Sequence, residues 1–374
     1  MNAIEILEKL VSIESVVGTP NGVIVDWVSA YLADLGINAK ILPGPEGDRS
    51  NLFVTIGPDM ARGYILCGHL DVAPSDESAW ASPPFRLRRH GDRLYGRGTS
   101  DMKGFLAAAL AVAPRLARMG LVHPIHFAFS YDEDAGCHGA PHLISQLPHL
   151  CSPPLGAIIG KPSNMRAVLA HKARAAARLT IRGRPGHSSR PDLALNAIHA
   201  MTAVLITTLD QADRLMKGPF DGAFEPPYST VQAGMIAGGK DINVVPHLCM
   251  LELEARGISG INAAGLLSPI RAKADALQDE GYEVRWEEMS AYPALALSAK
   301  RPLAHLVEAL TGQPALSAVS YGTEAGLYQA AGIDALICGP GDIGRAHQPD
   351  EYILESELAA CQRFIEALGQ RCAG

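Results

Sequence analysis

The chain has no Cys-x-x-Cys pair, no basic leader, no basic patch, no internal repeat and no low-complexity tract. It also has no apolar run near the roughly 20 residues that span a bilayer. Its amino terminus, Met1-Asn2-Ala3-Ile4-Glu5, carries an acid where a signal peptide carries bases. A soluble, cytoplasmic protein is therefore expected, with no membrane partner. Seven cysteines, an odd number without paired spacing, suggest neither a disulfide framework nor a thiolate zinc site; most read as small core residues, with Cys372 a candidate free thiol near the end. A net charge of -7 with scattered lysines and arginines gives no reason to expect nucleic acid.

What is present is ample material for a core. Hydrophobic residues make up 48% of 374 positions and charged residues 19%, which excludes global disorder and suggests two domains. Apolar residues at helical spacing mark two opening helices. Short apolar runs at 37–42, 51–56, 64–67, 126–130 and 156–160 then alternate with helical stretches, favouring a largely parallel sheet covered by helices. After His171-Lys172 the pattern changes to strand, helix (about 193–209), strand, strand, helix (about 261–278), strand. That is the order of a ferredoxin-like α+β unit. The expected organisation is a catalytic α/β domain with a mixed, largely parallel sheet (1–172 and 287–374), interrupted by an inserted ferredoxin-like dimerisation or lid domain (173–286).

The chemistry-bearing residues follow strands or open helices. They are His69 and Asp71 after one strand, Asp101 before an alanine-rich helix, Glu133 and Asp134 in the triplet Asp132-Glu133-Asp134, and His347 in a late loop. Acids clustered at a strand's carboxyl end repel one another unless a cation joins them. Histidine with carboxylate is the donor set that holds Zn²⁺ and leaves a position open for water. Taken singly, each residue has a plainer role open to it: Asp101 could cap a helix, His187 could bond within a Gly/Ser loop, and Arg256 could form a surface ion pair.

Together the motifs GHLDVAP (68–74), LYGRGTSDMKGF (94–105), SYDEDAGCHG (130–139), HK (171–172), GHSS (186–189), NVVPH (243–247), YGTEAG (321–326) and AHQPDE (346–351) give the chain a resemblance along essentially its whole length. It resembles the acetylornithine deacetylase branch of the di-zinc aminoacylase and desuccinylase metallopeptidases. The resemblance implies zinc, one or two ions per chain with cobalt able to substitute, a small-molecule N-acyl amino acid as substrate, a homodimer, and a place in arginine biosynthesis. It implies that Asp101 bridges the ions, that His69 binds one of them, and that Asp134 and His347 bind the other. Asp71 would orient His69, Glu133 would act as the base, His187 would stabilise the oxyanion from the partner subunit, and Asn243 with Arg256 would hold the substrate carboxylate.

Three positions depart from the family's pattern. Asp134 stands where the family has a longer glutamate and Ala173 where it usually has glycine, both mild changes, and the third is the one that matters. Where the family carries an acidic ligand before Pro-Thr or Pro-Ser, this chain reads Gly160-Lys161-Pro162-Ser163. A lysine offers three donors and no lone pair at neutral pH, so its ammonium is expected to pair with Asp101 and occupy part of the volume of one ion. The preferred reading is an N-acyl-amino-acid deacetylase whose metal centre Lys161 weakens. Two alternatives stand beside it: a catalytically silent relative that binds a carboxylate ligand or partner, and a substitution in an otherwise ordinary di-zinc enzyme.

Overall fold

Strands whose two faces are both covered favour continuous apolar runs, and the chain supplies several. Tyr64–His69 and Ile125–Ser130 are buried almost throughout, and the helix Gly104–Leu116 that covers them is built largely of alanine, leucine and phenylalanine. The first helix starts at Asn2, whose side chain accepts the amides of Ile4 and Glu5 while Glu5 accepts the amide of Asn2. This reciprocal cap satisfies donors that a helix start otherwise leaves open.

The computed structural model describes residues 1–374, which divide into two compact units. The first comprises Met1–Ala170, Leu295–Ser317 and Thr323–Gly374; the second comprises His171–Ala294 and Ala318–Gly322. With strands numbered in chain order, the first unit holds β1 (Ala39–Pro43), β2 (Ser50–Ile56), β3 (Tyr64–His69), β4 (Ile125–Ser130), β5 (Gly156–Ile159) and β10 (Ala335–Ile337), in the order β1-β2-β4-β3-β5-β10. β4, β3, β5 and β10 run parallel, and β1 with β2 adds an antiparallel edge. Helices α1 (Ala3–Val11), α2 (Gly22–Ala33), α3 (Gly104–Leu116), α4 (Gly139–Leu150), α7 (Pro302–Thr311), α8 (Ala325–Ala330) and α9 (Glu355–Cys372) belong to this unit, and one continuous apolar core lies between the sheet, α1, α3 and α9.

The second unit has the expected ferredoxin-like order: β6 (Ala173–Arg182), α5 (Ala197–Leu215), β7 (Thr230–Gly238), β8 (Leu248–Gly257), α6 (Ala263–Asp275) and β9 (Glu283–Tyr292). Its antiparallel sheet runs β7-β8-β6-β9, with α5 and α6 packed on one face. An end at 286 would cut β9, whose ladder to β6 continues to Tyr292. Helix α5 begins at Ala197 rather than near 193, because Asn196 caps it by accepting the amides of Ile198 and His199. Residues 191–193 form a separate tight turn.

No helix is long and apolar enough to cross a membrane. All seven cysteines are unpaired, and Cys372 is not an accessible thiol but a fully buried residue of α9.

His126 on β4 is fully buried, stacked on Phe53 with ring centroids 5.3 Å apart. Its Nδ1 meets Thr55 Oγ1 at 3.1 Å and its Nε2 has no partner. Burial lowers its pKa to about 4. The unfolded chain therefore takes up this proton near pH 6.5 while the folded chain refuses it until about pH 4, so stability falls as pH drops through that window, by about 3 kcal/mol in all. Comparing denaturation midpoints from pH 7 to pH 4 for the wild type and His126→Phe checks this: the variant should lose that part of the acid sensitivity.

Candidate metal centre

Parallel strands bring their carboxyl ends to one rim, and register decides which residues meet there. His69 lies opposite Ser130 and Cys67 opposite Ile159, so the residues just beyond β4 and β5 emerge level with His69. Those residues include Glu133, Asp134 and Lys161. His347 arrives on the loop before the strand Tyr352–Leu354, with left-handed backbone (φ 62°).

Asp101 is not a helix cap. It sits in a five-residue turn, Thr99–Lys103, with extended backbone (φ -118°, ψ 91°), and α3 starts only at Gly104 without a side-chain cap. Its carboxylate is free to face His69, whose Nε2 lies 3.2 Å from Oδ1. Of the acidic triplet, Asp132 leaves the cluster: it pairs with Arg49 and accepts the Gly18 amide at 2.8 Å. Glu133 and Asp134 stay. Their backbone amides donate to the two oxygens of Asp71 at 3.1 and 3.2 Å. Asp71 thus shapes the acidic turn, and it meets the imidazole through its backbone oxygen, 3.0 Å from His69 Nδ1, with its carboxylate at 3.5 Å.

The Lys161 ammonium lies at the centre of this group. Nζ is 2.7 and 2.9 Å from the two oxygens of Asp101, 2.9 Å from Glu133 Oε2 and 3.0 Å from His69 Nε2. Asp134 Oδ1 is 3.8 Å away. Burial opposes the lysine's charge, but the carboxylates of Asp101, Glu133 and Asp134 outweigh it and hold its pKa well above the usual range. Burial equally opposes ionisation of Asp101, and Lys161 with the two histidines holds that carboxyl well below its usual range. Burial drives Glu133 up to about 7 against the pull of Lys161 and His69. His347, half exposed, reaches Asp134 Oδ1 at 3.3 Å and Asp101 Oδ2 at 3.6 Å; those contacts raise it to about 10.

His187, Asn243 and Arg256 lie on the second unit. The short ladder Gly186–His187 with Val244–Val245 brings His187 beside Asn243, whose carbonyl accepts the Ser188 amide at 3.0 Å. Both side chains are on exposed residues. Arg256 on β8 stands across from Arg174 on β6, and the two guanidinium groups share Glu254, at 2.8 and 2.7 Å. Arg256 also donates to the Tyr292 hydroxyl at 3.1 Å.

Two buried acids inside the quoted motifs have roles that their motif positions alone do not reveal. Glu351 accepts the amides of Gly98, Ser100 and Asp101 at 2.9–3.0 Å, and the Arg97 guanidinium at 3.0 Å. It ties the His347 loop to the Asp101 turn. Burial raises its pKa while those donors pull it down. Glu324 accepts from Cys67 Sγ at 3.2 Å and Ser130 Oγ at 3.0 Å, behind the strand ends that carry the site. Spacing held no sign of either role, since each partner lies far away in sequence.

The chain belongs to peptidase family M20/M25/M40, whose pattern it matches over residues 65–371. It is similar to the acetylornithine deacetylase of Proteus mirabilis, 31% identical over an alignment taking in 98% of this chain and 95% of the relative. It is likewise similar to that of Pasteurella multocida, 31% identical over 95% and 92%. These relatives set it in the acetylornithine deacetylase branch of the family.

Among solved structures, the fold is that of an M20 family metallo-carboxypeptidase from Sulfolobus solfataricus, with TM-score 0.82, 17% identity and 99% of each chain covered. It is also that of human carnosine dipeptidase 1, with TM-score 0.75, 15% identity and coverage of 99% and 96%. A dinuclear metal-binding M20 peptidase from Bacillus subtilis matches at TM-score 0.65 and 13% identity, covering 99% of this chain and 97% of its own.

The residues fit a metal ion at one position and not at another. Asp101, Asp134 and His347 offer two carboxylates and an imidazole whose ligand atoms lie within 4.8 Å of one another. Asp134 Oδ2 is buried without a partner, a lone pair open to an ion. His69, Glu133 and Asp134 form a second such group, but the Lys161 ammonium fills it, and no ion fits there while the lysine remains.

Removing the Glu351 charge leaves a buried guanidinium unpaired and the Asp101 turn untethered. Glu351→Ala is expected to lower the melting temperature by roughly 5 °C or more, read by thermal denaturation beside an exposed control such as Glu8→Ala.

Proposed function

We propose that the chain is a zinc-dependent amidohydrolase that removes the acyl group, an acetyl by preference, from an N-acyl amino acid, with a metal centre weakened by Lys161. The observation that carries this reading is the Asp101–Asp134–His347 group with Glu133 beside it. Asp101, Asp134 and His347 would hold the ion, which when bound would supply polarisation of an amide carbonyl and activation of water. Glu133 takes the proton from the attacking water and delivers it to the leaving amine; a carboxyl poised near pH 7 suits a group that must both accept and release a proton.

Recognition of the substrate carboxylate falls to Arg256 and Asn243. Two guanidinium groups share one carboxylate at Arg256 and Arg174, so a net positive charge remains, and the guanidinium fork pairs with both oxygens of a carboxylate. His187 serves the oxyanion of the tetrahedral intermediate. The relatives named acetylornithine deacetylase support acetyl and ornithine as first substrates to try; a role in arginine biosynthesis inside the cytoplasm belongs to the same proposal.

The test is acetate release from N-acetyl-L-ornithine and other N-acetyl amino acids, with zinc or cobalt added after chelation. Metal-dependent release is expected, and Glu133→Gln should lower kcat at least 100-fold with metal content unchanged. The Lys161 ammonium inside the cluster favours one second reading, a silent relative that binds a carboxylate ligand. Calorimetric binding of N-acetylornithine with no turnover at any metal concentration would select it.

The second unit is also proposed to join two copies. β7 is an edge strand with Met235 and Ile236 exposed, and α5, packed beside it, exposes Ile206 and Leu209. An open apolar edge strand invites pairing with another chain. Light scattering should give a dimer for the wild type and a monomer for Ile236→Asp; a wild-type monomer at micromolar concentration would remove the homodimer from the proposal.

A further inference from the structure

We infer that the Lys161 ammonium is a tethered cation standing in for one of two metal ions, so that the acidic cluster stays assembled with no ion bound. The chain then takes at most one divalent ion, on Asp101, Asp134 and His347. The inference deepens the metal-hydrolase reading of the same residues, on which its single-ion clause rests.

The geometry around Nζ is that of an ion's position rather than of a surface pair. Three carboxylate oxygens of Asp101 and Glu133, which accept from it, and His69 Nε2 surround it at 2.7–3.0 Å. The side chain is 5% exposed. An ion in the same cage would need ligand distances of about 2.0–2.2 Å, which would bring it into collision with the nitrogen. The ammonium and the ion are therefore mutually exclusive at this point.

The backbone that carries Lys161 is clamped, which fixes where its side chain starts. A Cβ added at Gly160 would lie 2.2 Å from the Phe105 ring, and one at Gly339 would lie 2.0 Å from the Gly160 carbonyl oxygen. Both positions are glycine because main chain and ring approach this closely. Lys161 follows directly from that contact, on the last turn of chain out of β5.

Charge explains why the substitution does not disrupt the fold. Asp101, Glu133 and Asp134 converge with side chains 2–7% exposed, and carboxylates so placed repel unless a cation lies among them. A metal ion supplies that charge only at sufficient concentration. The lysine supplies it permanently, as part of the chain. The other position differs in kind: His347 is exposed to solvent and Asp134 Oδ2 lacks a partner, so an ion can enter there.

The experiment measures zinc per chain by elemental analysis after dialysis, intact mass, and melting temperature with and without chelator, for the wild type, Lys161→Ala and Lys161→Glu. One zinc in the wild type and two in Lys161→Glu are expected. Chelated Lys161→Ala should melt roughly 5 °C or more below the chelated wild type, and zinc should restore it. Two zinc ions in the wild type would overturn the inference, as would a chelated Lys161→Ala that melts with the chelated wild type. A mass increase of about 44 Da, the carbamate of Lys161, would overturn it too, because the side chain would then be an anionic ligand. No zinc in the wild type, with chelated Lys161→Ala still destabilised and restored by zinc, would leave the tethered cation standing and overturn the metal-hydrolase reading instead.

Discussion

Mutual repulsion among Asp101, Glu133 and Asp134 is the constraint that the first unit is built to contain. The three acids emerge from two loops onto one rim of a parallel sheet, buried from the water that would screen them. The fold answers with a lysine and two histidines. Lys161 donates hydrogen bonds to two of the acids directly, and His347 approaches Asp134 from the exposed side. Remove the cation and the same geometry becomes costly, which is why identical acids in a surface loop would imply nothing about metal.

Containment also depends on two acids outside the cluster of three. Asp71 holds the turn that presents Glu133 and Asp134, and Glu351 holds the turn that presents Asp101. In both cases a buried carboxylate accepts backbone N–H groups, so the backbone itself is shaped by charge-assisted hydrogen bonds. Ligand position is then fixed before any ligand binds. The Asp132–Arg49 pair does comparable work on the outer side of the acidic turn, anchoring it to the loop before β2.

The second unit follows a separate physical logic. Its antiparallel sheet buries one face under α5 and α6 and keeps alternating polar residues on the other. Arg174 and Arg256 meet on the two central strands because antiparallel register sets them across from one another, and Glu254, two residues before Arg256 on the same face, reaches both. The unit carries its own core of apolar side chains, consistent with a domain inserted into another without disturbing either sheet.

Alternating apolar runs, glycine punctuation and the strand-helix order were legible in the chain, because period and turn chemistry are local properties. The whole-length set of motifs likewise pointed to the metallopeptidase family and to Lys161 as the odd residue. Helix starts moved by a few positions where a cap such as Asn196 outweighed the apolar pattern. Tertiary structure alone decided the rest. Sequence could offer Asp101 as a helix cap, but only the folded turn aims its carboxylate at His69. The same holds for Asp132, which reads like its neighbours until Arg49 claims it, and for Glu351, whose four partners lie some 250 positions away. Local preference can name a residue type and its element; which charges finally face one another depends on strand register and on chain segments that meet only when the core closes.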